Sequence, residues 1–265
     1  VPRPVLVPLL CVLACAPPPP PAPDGLAENL RWFWLHAETA DEGVLLEGLS
    51  VLSAAARADT RSAPLKGQLP LRLGPADVVA ERGGSPGVDP AGARGLLLLN
   101  PLRCTLLQAA PLLASADQQL LHPGLYDAYV RTFDAGAGPA DFAEGRVDRL
   151  RWTAEWDAHF PPADGYHATQ PGTLRRVGGR LLLGRRWLSG PARFAEGSTS
   201  QFPQDYQLEL FWERAPGELF HALAAWRELR IGGLGLTTED DAVFAPMLER
   251  LVELDGELER ACNGG

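Results

Sequence analysis

A histidine, a carboxylate and an arginine on neighbouring strands can do acid–base chemistry or hold an anionic headgroup. The late part of this chain carries such a set. Gln207 and Glu209 lie on one alternating segment, and His221, Arg227 and Glu228 lie on the next. His221 and Arg227 have the same parity, so on an extended strand they share a face. Glu209 is then placed to pair with Arg227 across the strands. Inside a cavity this group would suit a hydrolase or a cyclase. On the outer side of a sheet it is a solvent-facing ion pair, the commoner fate of charges on strands.

Other chemistry is thinly represented. The five histidines, His36, His122, His159, His167 and His221, include no pair at the helical spacing of a zinc site. His36-Ala37-Glu38 supplies only the first half of a zinc-deaminase pattern. Pro101-Leu102-Arg103-Cys104 does not supply the second. Gly-x-Ser-x-Gly is absent, and Gly232-Gly233-Leu234-Gly235 lacks the lysine and spacing of a phosphate loop. No catalytic residue, metal ligand or cofactor is assigned.

Cysteine carries more information. The segment Val5–Ala14 is apolar and too short to span a bilayer. It ends in Val12-Leu13-Ala14-Cys15, followed by Ala16 and the prolines Pro17 to Pro21. This arrangement resembles a bacterial lipoprotein signal, with Leu13 larger than the residue favoured at its place. The resemblance implies a signal peptide over residues 1–14, a lipidated Cys15, and a proline-rich tether over 15–25. An ordinary signal cleaved near Ala16 is the alternative. Ala16 is not the aspartate that resembles an inner-membrane retention signal, which tilts the expected address toward the outer membrane. Cys11 leaves with such a signal, so Cys104 and Cys262 remain. Outside the cytoplasm they read as a disulfide closing a loop of about 158 residues, and two unpaired thiols are the rival reading.

The formal charge of −9, from 24 basic and 33 acidic residues, argues against nucleic acid as a partner. Hydrophobic residues make up 46% of the chain, enough for a sizeable core. Past the signal no stretch approaches a membrane span.

These groups need elements to position them. Leu26 to Ala37 has helical periodicity, and Thr39 with Glu42 suggests a capping box opening a second helix striped by Leu45, Leu49, Leu52 and Ala56. Together they form an N-terminal helical segment over 26–58. The cluster Trp32-Phe33-Trp34 belongs either to a core or to a membrane interface. Residues 59–265 read as an α+β domain, forming one unit with 26–58. Within it, Gln68 to Leu73 suggests a short strand and Leu96 to Leu99 a buried one. Thr105 to Ser115 suggests a helix kinked at Pro111, and Gly124 to Phe133 a further helix. From Val147 the period changes to two: Leu150, Trp152, Ala154, Trp156 and Ala158 alternate with polar residues. Strands follow over Gly172–Val177, Arg180–Leu188, Asp205–Arg214 and Glu218–Ile231. A last helix carries Met247, Leu251, Leu254 and Leu258, with Pro246 expected to interrupt it.

From Leu96 to Cys262 the order is strand, two helices, several antiparallel strands and a long final helix. This order resembles the START-like helix-grip fold, in which a curved antiparallel sheet packs on a long C-terminal helix. The resemblance is topological and implies a cavity between sheet and helix for an apolar ligand. A Cys104–Cys262 bond is compatible with it. Trp152, Trp156, Tyr206 and Trp212, with Trp187 and Trp226 as further candidates, lie on expected strands. Together with His221 and Arg227 they are the candidate ligand-binding residues.

The expected protein is thus a membrane-anchored cell-envelope lipoprotein that binds an apolar or amphipathic ligand without catalysis. An envelope interaction or scaffold protein, its partner unspecified, is the alternative. A hydrolase or cyclase built on His221 and Glu209 comes third.

Overall fold

The computed structural model describes residues 18–59, 64–79, 81, 88–136, 138–159 and 165–264. The expected signal over 1–14, the anchor Cys15 and the start of the tether lie outside the described residues. Two helices come first, α1 (Leu26–His36) and α2 (Glu42–Asp59), then strands β1 (Leu65–Leu69) and β2 (Arg94–Leu102). Next are α3 (Leu106–Ala114), α4 (Gln118–Leu121), β3 (Ala128–Phe133) and α5 (Pro139–Ala143). A run of strands follows: β4 (Arg149–Ala158), β5 (Tyr166–Val177), β6 (Leu181–Trp187), β7 (Arg193–Phe194), β8 (Gln201–Ala215), β9 (Glu218–Ile231) and β10 (Leu236–Thr237). The chain closes with α6 (Asp241–Cys262).

All strands join one antiparallel sheet in the order β1-β2-β9-β8-β6-β5-β4-β3, with β10 on β9 and β7 on β5. Gly178 and Gly179, with φ of 55° and 62°, are the central residues of the turn between β5 and β6, closed by the Arg180 N–H on the Val177 carbonyl at 3.0 Å. The long α6 and short α3 pack on one face, and the chain adopts the expected helix-grip arrangement.

The sheet has a core on each side. Leu98, Trp152, Phe211 and Leu223 share the first core with Phe244, Met247 and Leu258 of α6. Leu97, Leu183, Leu208, Ala224 and Trp226 face the other way and pack on Leu30, Phe33 and Trp34 of α1 and Leu45 and Leu52 of α2. Strands β8 and β9 are therefore covered on both faces, which is why Phe220 to Trp226 is apolar at nearly every position. Strand β4 keeps one exposed face and so alternates strictly. The Trp32-Phe33-Trp34 cluster is buried throughout, as core. Trp34 Nε1 donates to the Asp77 carbonyl at 2.9 Å, and its ring meets Trp226 edge-on at 6.0 Å. The proline-rich segment is held to α1: Trp32 Nε1 donates to the Pro20 carbonyl at 2.8 Å and Asn29 Nδ2 to that of Pro23 at 3.1 Å.

Several local expectations are corrected. Gly124 to Phe133 is not a helix. Its second half is the edge strand β3, in which Tyr129, Arg131 and Phe133 pair with Trp156, Ala154 and Trp152. Aromatic and β-branched side chains gain more from that pairing than from a helix with no partner face. The expected strand Gln68–Leu73 is shifted to Leu65–Leu69, set by its register on β2. Thr39 belongs to the turn that ends α1, where its N–H bonds the His36 carbonyl, and α2 starts at Glu42. Pro246 does not break α6, since the Ala242 position whose carbonyl loses its partner is exposed to water. Thr105 does cap α3 through a reciprocal box with Gln108, an arrangement typically contributing about 1 kcal/mol.

Candidate ligand cavity

Between the sheet and α6 lies a cavity of about 150 Å³. One part is aromatic. Tyr126 meets Trp156 edge-on at 5.6 Å, Trp156 meets Tyr166 at 5.4 Å, and Tyr166 meets Phe202 at 5.6 Å. Leu223 from β9 and Met247, Leu251, Leu254 and Leu258 from α6 add an aliphatic wall. Burial pushes the Tyr126 phenol up to about 12 and raises that of Tyr166 as well, so both stay neutral hydroxyls.

The other part is polar and fully paired in charge. Arg186 NH2 sits 2.6 Å from Glu209. Arg227 grips Asp205 with two bonds of 3.1 and 2.8 Å. Burial works against both guanidinium charges, but these carboxylates outweigh it and raise both pKa values. Glu257 accepts from Arg250 at 3.1 Å and lies 2.9 Å from His122 Nδ1.

At the centre is a buried relay. His221 Nδ1 lies 2.7 Å from Asp255 Oδ1, and Asn100 Nδ2 donates to Asp255 Oδ2 at 2.9 Å. Asp255 accepts on both oxygens, so the Nδ1 position carries a proton. The imidazole stacks flat on Phe211, with ring centres 4.1 Å apart and planes 4° apart. His221 Nε2 is buried without a partner. Burial alone would lower the His221 pKa; the charge and hydrogen bond of Asp255 outweigh it and raise it. For His122, burial dominates over Glu257 and lowers it. A side-chain nitrogen NMR titration should therefore place the two on opposite sides of the ordinary histidine value near 6.5. By linkage, His221 adds stability below its unfolded pKa that is lost as pH rises through its folded value. His122 adds stability above its unfolded pKa that is lost as pH falls through its folded value. Two histidines titrating together at 6.5 would contradict this geometry.

Of the candidate binding residues, Trp156, His221 and Arg227 line the cavity. Trp152 lines an adjoining recess of about 40 Å³ that shares His122, Arg186, Glu209 and Phe211 with it. Its ring lies over Gly172, where a Cβ would come within 2.5 Å of it, and Arg131 stacks above at 4.3 Å. Tyr206 and Trp212 are corrected: both face the α1–α2 core, as does Trp226, and Trp187 packs beside them. β8 does alternate, and its apolar face of Tyr206, Leu208, Leu210 and Trp212 is turned away from α6. The expected Glu209–Arg227 pair is also replaced. Asp205 stands directly opposite Arg227 in the register, while Glu209 stands opposite Leu223 and reaches Arg186 instead. Neither pair is on an outer surface. Glu228, of opposite parity, bonds Gln204 at 2.7 Å and pairs with Arg230.

Asp255 and Asn100 were missed. A signal existed, because Asp255 falls between Leu251 and Leu258 on the buried stripe of α6, where a carboxylate needs a partner. Among the described residues, no cluster of His, Cys, Asp and Glu could hold a metal ion, and no helix is long and apolar enough to cross a membrane.

No family model matches this sequence, and no curated protein matches it. Solved structures with a similar fold include human STARD10, at 9% identity and a TM-score of 0.45 over 64% of this chain and 63% of that one. A STAR-related lipid transfer protein fragment from Xanthomonas axonopodis matches at 12% identity and a TM-score of 0.38, over 66% of this chain and 88% of that one. The lipid transfer and protein localization domain of human StarD13 matches at 7% identity and 0.40, over 82% and 95%. This chain thus spans just under two thirds of the length of STARD10.

Proposed function

We propose that this chain is a cell-envelope lipoprotein, anchored through Cys15 and facing the outer membrane, whose helix-grip domain holds an apolar or amphipathic ligand without catalysis. The cavity between the sheet and α6 carries the ligand reading. About 150 Å³ is the size that takes a benzene-sized molecule, so it accommodates a compact ligand or the head of a longer one. Its described lining has no Ser, Thr, Cys or Lys, but His221, Glu209 and Arg227 do converge on it, which keeps an acid–base hydrolase or cyclase as the second reading.

The anchor reading rests on the sequence around Cys15. Residue 20 is already bonded to α1, so the span from Cys15 to the folded domain is at most about 20 Å. The domain would sit close to the membrane surface. The test is to purify the full chain from a diderm bacterial envelope grown with an alkynyl fatty acid. The label should attach to the wild type and be absent from Cys15→Ser, and native mass spectrometry should detect a copurifying mass that leaves on denaturation. Label retained in Cys15→Ser would remove the anchor; a bare native mass would remove the resident ligand.

A further inference from the structure

We propose that the cavity ligand is an uncharged molecule presenting a carbonyl or hydroxyl oxygen to His221 Nε2, with Asp255 and Asn100 holding the imidazole in place. This rests on the ligand-binding reading and names the chemistry of the bound head.

Two observations carry it. The first is charge balance. The strand arginines Arg186 and Arg227 have Glu209 and Asp205, the helix arginine Arg250 has Glu257, and His221 has Asp255. An anionic head would enter with no unpaired cation to receive it, and a cationic head with no unpaired carboxylate. Either would be an uncompensated ion in a low-dielectric interior, which is strongly unfavourable. The second is an excess of donors. Trp156 Nε1 and Arg186 Nε are buried donors without partners, His221 Nε2 joins them when the ring is protonated, and all three side chains line the cavity. Buried donors without acceptors are costly, so the complementary ligand brings oxygen acceptors rather than further donors.

His221 is the donor best fixed in position. Its ring is set by the stack on Phe211 and by the bond to Asp255, whose second oxygen is occupied by Asn100. Burial works against its charged form, as does Arg186 from β6, and Asp255 from α6 and Glu209 from β8 outweigh them. The two carboxylates favour the protonated ring, in which Nε2 donates. Deprotonation turns Nε2 into an acceptor, which a hydroxyl still satisfies and a ketone does not.

The test compares toluene, cyclohexanone and benzoate as apolar, acceptor and anionic probes, binding to the purified chain followed by NMR titration. Cyclohexanone should shift the His221 Nε2 resonance of the unaltered protein; toluene should bind and leave it unmoved. In His221→Leu, cyclohexanone should lose about tenfold in affinity while toluene keeps its own. The cyclohexanone affinity of the unaltered chain should also fall as pH rises through the His221 titration. Cyclohexanone binding that neither moves Nε2 nor depends on His221 would overturn the proposal and leave the cavity reading intact. Benzoate binding most tightly would do the same. If none of the three binds, the ligand-binding reading itself fails. The Nε2 measurement needs no variant, so it stands even if His221→Leu does not fold.

Discussion

Asp255→Ala is expected to lower the unfolding free energy by about 3–5 kcal/mol at mildly acidic pH, the usual cost of removing one member of a buried ion pair. Asp255 is 4% exposed and His221 is 3% exposed, so water cannot replace the lost partner. Asn100 also loses its acceptor. The penalty has a direction in pH. Below the unfolded pKa of histidine, near 6.5, the variant must bury an unpaired imidazolium or give up its proton. Above it, the neutral ring is tolerated and the cost shrinks. Asp255→Asn keeps an acceptor and the shape, so it should cost less while still bringing the His221 pKa down. Urea unfolding of both variants at two pH values is the measurement. A cost for Asp255→Ala under about 1 kcal/mol at acidic pH would mean that the pair is solvated and the relay is not buried.

Loss of the Cys104–Cys262 bond comes next in size. The two residues, with Cα atoms 5.7 Å apart, join the start of α3 to the end of α6 across 158 positions. A closed loop of that length restricts the unfolded chain by about 5 kcal/mol in the entropy model, and measured losses run about 2–5. Neighbouring polar bonds fix the same corner: Gln108 Nε2 donates to the Cys262 carbonyl at 3.1 Å and Asn263 Nδ2 to that of Arg103 at 2.9 Å. Those contacts persist without the bond, so Cys262→Ser should fold with a midpoint lowered by about 5–15 °C. Reductant should lower the wild-type midpoint to match and leave the variant unchanged. A wild-type midpoint insensitive to full reduction would show that this bond does not hold α6 down.

Much of this architecture was legible in the chain. Strict alternation from Leu150 to Ala158 reported a half-exposed strand because β4 does have one wet face. Gly178-Gly179 reported a hairpin because its turn needs two positive φ values. The site was legible only in part. His221 and Arg227 stood out as polar residues in an apolar strand, and they line the cavity. Asp255 and Asn100, separated by 155 positions, gave no local sign of sharing a hydrogen bond. Gly124 to Phe133 went astray because a short segment with Leu125, Tyr129 and Phe133 fits a helical stripe as well as an edge strand, and only the neighbouring strand decides.

Local pattern determined most of the later strands, the Gly178-Gly179 hairpin and the presence of a closing helix, because backbone period and turn chemistry act between residues a few positions apart. The tertiary structure alone decided which face of β8 and β9 meets α6. Both faces of β9 are apolar for most of its length, while β8 turns Asp205, Gln207 and Glu209 beside Phe211 to the side opposite Tyr206 and Trp212; a period of two distinguishes the faces without saying what covers each. The docking of α1 and α2 drew Tyr206 and Trp212 to one side and left Phe211, His221 and Arg227 on the other. That partition, which depends on contacts between distant parts of the chain, made the cavity and its relay.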